Sequence, residues 1–339
     1  MARAIVSASP TYAACALSEL DQALPAGYGR DELEPGTWLV SAAGSFRRMA
    51  TALQPTVFLR HACPVQAEVA LDGRCAPQAW VAATLPDVWP HLPGLQSQDP
   101  LQVQVRLLPG SPAWAPGALA GELRACLGRA GIPTVGGAAP RVLSLVCGAN
   151  RAWLGVAAVE QQRSPWPGGI ARLRRLPGEV SRSARKLEEA WRVFDLPPPL
   201  AGGRAIDLGA APGGWTQVLL SRGLRVVAVD TGELAPELRE AAGLRFLRGP
   251  AQGVALPAGP LDLLTCDLSW DPLRAARCVL RFRPLLRPEA PALVTIKFFG
   301  RPPLQAVAAA RAELSAGFRV LAVRHLYHDR AEATAYLRA

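Results

Sequence analysis

The chain has 339 residues, half of them hydrophobic, with 37 basic against 27 acidic side chains and a formal net charge of +10. That length and apolar content exclude a disordered chain and allow two or three domains, each with its own core. The charge favours a polyanionic partner such as nucleic acid, although charge alone does not separate RNA from an anionic membrane. Seven cysteines, Cys15, Cys63, Cys75, Cys126, Cys147, Cys266 and Cys278, form no C-x-x-C pair and have no histidine at ligand spacing. Reduced, buried thiols and no metal site are therefore expected. No continuous apolar run precedes Ser7, Ser9 and Pro10, and none elsewhere reaches membrane-spanning length. The expectation is a cytoplasmic protein with no signal peptide and no membrane partner.

In chain order, residues 1 to about 60 alternate short strands and helices: a strand at Ala4-Ile5-Val6, a helix from about Thr11 to Leu24, and strands at Thr37–Val40 and Thr56–Leu59. Leu101, Val103, Val105 and Leu107 alternate as one buried face of a strand, and Leu119, Leu123, Cys126 and Leu127 follow at helical spacing within 116–131. Strands at 142–146 and 153–156 complete a second α/β module. The Pro/Gly-rich stretches 82–100 and 108–118 read as loops. By itself this half suits either a packing or dimerisation domain or a binding module.

From Arg163 to Lys186 there are seven basic residues, Arg163, Arg172, Arg174, Arg175, Arg182, Arg185 and Lys186, against one acid, Glu179. Such a run is either a solvated face or, with Trp166 available for stacking, an RNA contact. A helix then begins near Ser181, with Ser183 as N-cap and Lys186 three residues on.

The strand Ala205–Leu208 runs into Gly209-Ala210-Ala211-Pro212-Gly213-Gly214-Trp215 and a helix. Small residues between a parallel strand and a helix N-terminus let a nucleotide-type ligand lie against the main chain, but the turn lacks the G-x-G-x-x-G of a dinucleotide fold. Leu224–Asp230 is the next strand, its terminal Asp230 placed either for ribose hydroxyls or as a helix N-cap. Strands at 245–247, 261–268 and 292–297 follow, the last two delivering Asp267 and Lys297 to the same edge. A final pair, 318–324 and 333–338, flanks Glu332. His325 and His328 read as structural.

Of the 37 basic residues only Lys186 and Lys297 are lysines. Arginine serves for salt bridges and phosphates but does not release its proton near neutrality, whereas a lysine in a tuned environment does. Two lysines that escape so strong an arginine bias call for a chemical explanation.

Asp-Leu-Gly-Ala-Ala-Pro-Gly-Gly-Trp resembles the first motif of FtsJ-like ribose 2′-O-methyltransferases. With Ser164-Pro165, Gly169-Ile170-x-Arg172-Leu173, the stretch Ser181–Ala190, and Leu326-Tyr327-His328-Asp329-Arg330, the likeness tightens to bacterial 23S rRNA cytidine 2′-O-methyltransferases that carry an N-terminal THUMP domain. It covers most of residues 164–339.

The resemblance implies an α/β protein: a C-terminal Rossmann-like S-adenosylmethionine-dependent methyltransferase sheet preceded by ferredoxin-like and THUMP α+β modules. The implied division is a ferredoxin-like module at 1–62, a THUMP-like RNA-binding module at 63–160, a basic interdomain linker at 161–181 and the FtsJ-like domain at 182–339. S-adenosyl-L-methionine would be held by Ser183, Gly209, Ala211, Pro212, Gly213, Gly214, Trp215, Asp230 and Asp267. Lys186, Asp267, Lys297 and Glu332 would form the catalytic tetrad on a ribose of 23S rRNA. Lys297 would be the general base, its pKa lowered by partial burial and by the like charge of Lys186. Where the family places an acid near the adenine, this chain has Pro250. The alternatives are an FtsJ-type enzyme acting on another RNA and a non-catalytic RNA-binding ribosome-assembly factor.

Overall fold

Alternating apolar residues and well-placed turns build three sheets in the computed structural model, which describes all residues except 96, 98, 176, 177 and 256–258. Parts of the expected 82–100 loop and of the 161–181 linker thus lie outside the described residues. The chain packs as two units, residues 1–170 and 171–339.

In the first unit, β1 (Ala2–Ala8), α1 (Ala13–Ala23), β2 (Gly29–Glu34), β3 (Thr37–Ala42), α2 (Phe46–Leu53) and β4 (Leu59–Val65) follow in turn. They form an antiparallel sheet of order β2-β3-β1-β4, the β-α-β-β-α-β arrangement expected of a ferredoxin-like module. The strand expected at 56–59 instead begins at Leu59. The Glu19 carboxylate draws the backbone N–H groups of Val57 and Phe58 to itself, at 2.6 and 2.8 Å, so they are not available to a ladder. β4 then runs through the anticipated boundary at 62/63, and Gln66 alone separates it from β5 (Ala67–Ala70).

Next come α3 (Pro77–Thr84), β6 (Leu101–Leu107), α4 (Pro116–Arg129), β7 (Thr134–Val135), β8 (Arg141–Cys147) and β9 (Arg151–Ala158). The five strands are ordered β5-β9-β8-β6-β7. Their sheet shares a buried cluster with the first, in which Ile5, Cys63 and Val65 meet Leu108, Val146 and Trp153.

The second unit holds α5 (Ala184–Val193), β10 (Arg204–Leu208), α6 (Gly214–Ser221), β11 (Arg225–Asp230), β12 (Leu244–Arg248) and β13 (Leu263–Cys266). After them come α7 (Pro272–Phe282), β14 (Pro291–Lys297), α8 (Pro303–Leu314), β15 (Arg319–Arg324) and β16 (Glu332–Arg338). The sheet order is β12-β11-β10-β13-β14-β16-β15, parallel from β12 to β14, with β16 antiparallel between β14 and β15. This is a doubly wound Rossmann-like sheet closed by an antiparallel pair, and its order reverses beside β10, where ligands bind such sheets. The near-continuous apolar runs of β10, β11, β13 and β14 fit strands buried on both faces. All seven cysteines are free thiols, but Cys15 and Cys75 are only half-buried, contrary to expectation. No described helix is long and apolar enough to cross a membrane.

Candidate active site

Topology brings the four tetrad side chains to one place from four elements. Lys186 lies on α5, Asp267 follows β13, Lys297 ends β14 and Glu332 opens β16, directly opposite Lys297 in the antiparallel register. Lys186 Nζ donates to Asp267 Oδ2 at 2.7 Å and to Glu332 Oε1 at 2.9 Å. Lys297 Nζ donates to Asp267 Oδ1 at 2.6 Å and to Glu332 Oε2. The result is a closed square of alternating charge in which each carboxylate bridges both ammonium groups. All four side chains are largely buried, where such pairs are strong and removal of any one leaves an uncompensated charge.

The electrostatics run against the expected lowering of the Lys297 pKa. Burial disfavours its ammonium form, yet the charges and hydrogen bonds of Asp267 and Glu332 outweigh burial and raise its pKa above the ordinary lysine value. Burial likewise opposes ionisation of Asp267, but Lys186 and Lys297 together hold its carboxyl below the usual range. Asp267 and Lys297 therefore rest as an ion pair.

Beneath it, β10 enters the glycine-rich turn. Ala211 N donates to Asp230 Oδ2 at 2.9 Å and Gly232 N to Asp230 Oδ1 at 2.7 Å, so Asp230 ties its own turn to the loop. No helix follows for it to cap: the next helical residues are the short 3₁₀ turn Pro236–Leu238. Each carboxylate oxygen keeps a further lone pair, as reception of a ribose diol requires. Gly209 has φ +78°, and a Cβ there would lie 2.8 Å from Leu268 N, beside Asp267. At Gly214 a Cβ would fall 2.4 Å from Ser183 Oγ. Glycine at these two positions lets the loop close onto both Asp267 and the start of α5. The Ala211–Pro212 peptide bond is cis.

Ser183 occupies the N-cap position of α5 but does not cap it. Its φ and ψ of −63° and −23° are already helical, and its hydroxyl meets Ser181 Oγ at 3.0 Å. Its contribution is its carbonyl, which accepts from Trp215 Nε1 at 2.9 Å and joins α5 to the ligand loop. Pro250 is exposed in the turn after β12, its carbonyl accepting from Gly253 N at 2.8 Å.

The basic segment divides. Arg163 is 4% exposed, and its guanidinium donates to the carbonyls of Leu59 at 2.9 Å, Thr56 at 2.7 Å and Leu53. It is a clamp inside the first unit and has no face to offer RNA, which corrects its place among the candidate contacts. Residues 161–170 belong to that unit rather than to a free linker: Gly168 O accepts from Ser7 Oγ at 2.8 Å and Pro165 O from Gln104 Nε2 at 3.1 Å. Arg185 pairs with Glu179 at 3.0 Å. Arg172, Arg174, Arg175 and Arg182 are exposed.

Several supporting residues escaped the sequence reading. Thr295 Oγ1 donates to Asp267 Oδ1 at 2.9 Å. Buried Asp207 accepts from Thr216 at 2.7 Å and Thr265 at 2.9 Å, and burial pushes its carboxyl up to about 6. Thr295 and Thr265 each precede a tetrad residue by two, the period that places side chains on one face of a strand, so alternation was the available signal. Glu189, three residues beyond Lys186 on α5, accepts from His328 Nδ1 at 2.7 Å, consistent with a structural role for that histidine.

Residues 179–280 match the FtsJ-like methyltransferase family. Three similar proteins, each named ribosomal RNA large subunit methyltransferase M, show how far the likeness reaches. That of Aromatoleum aromaticum is 40% identical over 201 residues, covering 56% of this chain and 53% of the relative. That of Halorhodospira halophila is 42% identical over 181 residues, covering 52% of each. That of Alkalilimnicola ehrlichii is 39% identical over 220 residues, covering 63% of this chain and 60% of the relative. The chain thus spans roughly half the length of the curated relatives it matches. Lys186, the glycine loop, Asp230 and Asp267 fall within the family match, while Lys297 and Glu332 lie beyond it and join the site through the fold. Residues 179–280 are thus similar to FtsJ-like methyltransferases, and the chain is similar to the ribosomal RNA large subunit methyltransferase M proteins.

Proposed function

We propose that this protein methylates the 2′-oxygen of a ribose in 23S rRNA, a cytidine by the family resemblance, using S-adenosyl-L-methionine. The observation that carries the reading is the closed Lys186–Asp267–Lys297–Glu332 square beside the glycine loop. Its residues suit the cofactor: Asp230 retains acceptor capacity for ribose hydroxyls, and the small residues Gly209, Ala211, Gly213 and Gly214, with Pro212 and Trp215, form the loop at the helix N-terminus. Bound there, the cofactor supplies a methyl group already activated on sulfonium.

The chain's own task is to position a ribose hydroxyl and take its proton. Each lysine makes two hydrogen bonds within the square, and an ammonium has three donors, so each keeps one direction for a ribose oxygen. Lys297, as a neutral amine, would accept the hydroxyl proton as the oxygen–carbon bond forms and the methyl carbon–sulfur bond breaks, the sulfur leaving as a neutral thioether. Lys186 holds the oxygen, and the two carboxylates fix both lysines and balance the charge that results. With its pKa raised, Lys297 is neutral in only a small fraction of molecules near pH 7. The rate of methyl transfer is therefore expected to climb about tenfold per pH unit between pH 6.5 and 8.5, without a plateau.

The first unit and the exposed residues Arg172, Arg174, Arg175 and Arg182 serve in this reading to bind RNA through its phosphates. The test is transfer of labelled methyl from S-adenosylmethionine to unmodified 23S rRNA, followed by digestion and mapping. One labelled 2′-O-methyl nucleotide supports the reading. RNA binding with no transfer at any pH replaces it with a non-catalytic assembly factor.

A further inference from the structure

Among the described residues only two aromatic side chains are exposed, Phe299 at 53% and Tyr327 at 41%. Both sit on connections that lead into the tetrad: Phe299 two residues after Lys297, Tyr327 five residues before Glu332. The two connections begin at one edge of the sheet, where Lys297 pairs with Glu332 and Phe298 N donates to Ala331 O at 2.9 Å.

The segment carrying Tyr327 is fastened unusually well for a surface turn. Glu189, 2% exposed, accepts from Tyr327 N at 2.7 Å with one carboxylate oxygen and from His328 N at 2.9 Å with the other. Asp329 accepts from Leu326 N at 3.0 Å and from Thr334 Oγ1. The His328 ring stands edge-on to the Tyr327 ring, with centroids 5.2 Å apart at 90°. Glu189 lies one turn from Lys186 on α5, and Thr334 lies two residues past Glu332 on β16. The Tyr327 ring is therefore held in the same frame as two members of the tetrad while its side chain meets solvent.

An exposed aromatic ring on a pre-ordered backbone beside a ribose site has one evident use. A ribose inside stacked RNA is not accessible to a four-sided buried site, and nucleotides drawn out of the stack are held by aromatic faces. We propose that Tyr327, with Phe299 from the neighbouring connection, forms the platform for the base of the nucleotide whose 2′-oxygen enters the tetrad. This rests on the ribose-methylation reading above. Flat stacking is tolerant of base identity, so the pair supplies grip and alignment, while selection of the nucleotide comes from elsewhere.

The experiment compares wild type with Tyr327→Ala, Tyr327→Phe, Tyr327→Trp and Phe299→Ala. It measures methyl transfer to unmodified 23S rRNA and, by calorimetry, S-adenosylmethionine affinity. Tyr327→Ala is expected to lower kcat/KM for the RNA by on the order of 10- to 100-fold. Cofactor affinity and thermal midpoint should stay at wild-type values. Phenylalanine or tryptophan at 327 should restore most of the loss, and Phe299→Ala should cost less than Tyr327→Ala. Wild-type turnover in Tyr327→Ala overturns the platform and leaves the methylation reading standing. So does a loss in Tyr327→Phe as large as in Tyr327→Ala, because the hydroxyl and not the ring face would then matter. A wild type that binds both cofactor and RNA yet transfers nothing removes both.

Discussion

The two units each bury charge, and they use it differently. In the first, Arg163 spends its guanidinium on three backbone carbonyls and Glu19 its carboxylate on two backbone N–H groups. Backbone partners cannot move without unfolding the segment, so these charges fasten loops. In the second, Lys186, Asp267, Lys297 and Glu332 spend theirs on one another, and each lysine keeps a donor direction. Side-chain partners can exchange a proton or accept a third participant. Charged side-chain partners alone do not mark the centre, since Arg106 and Glu34 also pair within the first unit; the mark is a closed set of four such groups in which each lysine keeps a donor direction.

Breaking the square should give the largest effect. Asp267→Asn removes the negative charge that both lysines share, and turnover is expected to fall by about 10²- to 10⁴-fold while the protein remains folded. Steady-state methyl transfer together with circular dichroism checks this. The corresponding cut in the first unit, Arg163→Ala, should take the guanidinium from the buried carbonyls of Leu59 and Thr56, while Leu53 O still accepts from Thr56 N and Oγ1. The expected cost is on the order of 3 kcal/mol of stability, read by urea unfolding, with no change in the cofactor affinity of folded protein.

The comparison sharpens with pH. Asp207, in the second unit, has a folded pKa pushed up to about 6 from 3.8. Its stabilising contribution is therefore full below about pH 4 and is lost as pH rises through 6, a change of about 3 kcal/mol. His61, in the first unit, is lowered from 6.5 to about 4, chiefly by burial with help from the charge of Arg106. Its contribution is present above pH 6.5 and is lost as pH falls through 4. Asp207→Asn should flatten the pH dependence of the second unit's unfolding between pH 4 and 7 and leave that of the first intact. Segment-resolved hydrogen exchange at several pH values separates the two. Equal flattening in both units would contradict this assignment of the buried groups.

Much of this was legible in the residues, for identifiable reasons. A parallel strand buried on both faces advertises itself by its apolar run, so β10, β11, β13 and β14 were located, and with them the edge that carries Asp230, Asp267 and Lys297. Scarcity made Lys186 and Lys297 conspicuous in an arginine-rich chain. By contrast β2 is a charged edge strand, GRDELE, with no buried face to impose an alternating pattern. Residues 56–58 have the apolar look of a strand, yet their backbone donors go to Glu19, almost 40 residues away in sequence. Arg163 reads like its basic neighbours and is distinguished only by long-range carbonyls. The Lys297 pKa went the wrong way for a similar reason. The tetrad resemblance supplies both a like charge and two opposing carboxylates, and which of them prevails depends on their distances from Lys297 Nζ, which only the fold sets.

The most direct test of the account replaces Lys297 by arginine, which keeps the positive charge and most of the ion pairing but cannot release a proton near neutrality. With labelled S-adenosylmethionine and unmodified 23S rRNA, the account predicts that the Lys297→Arg protein binds cofactor and RNA about as wild type does and transfers methyl at least about 10²-fold more slowly at every pH from 6.5 to 8.5. Turnover within a few-fold of wild type would contradict it, because the square would then be a structural network and the hydroxyl proton would leave by another route.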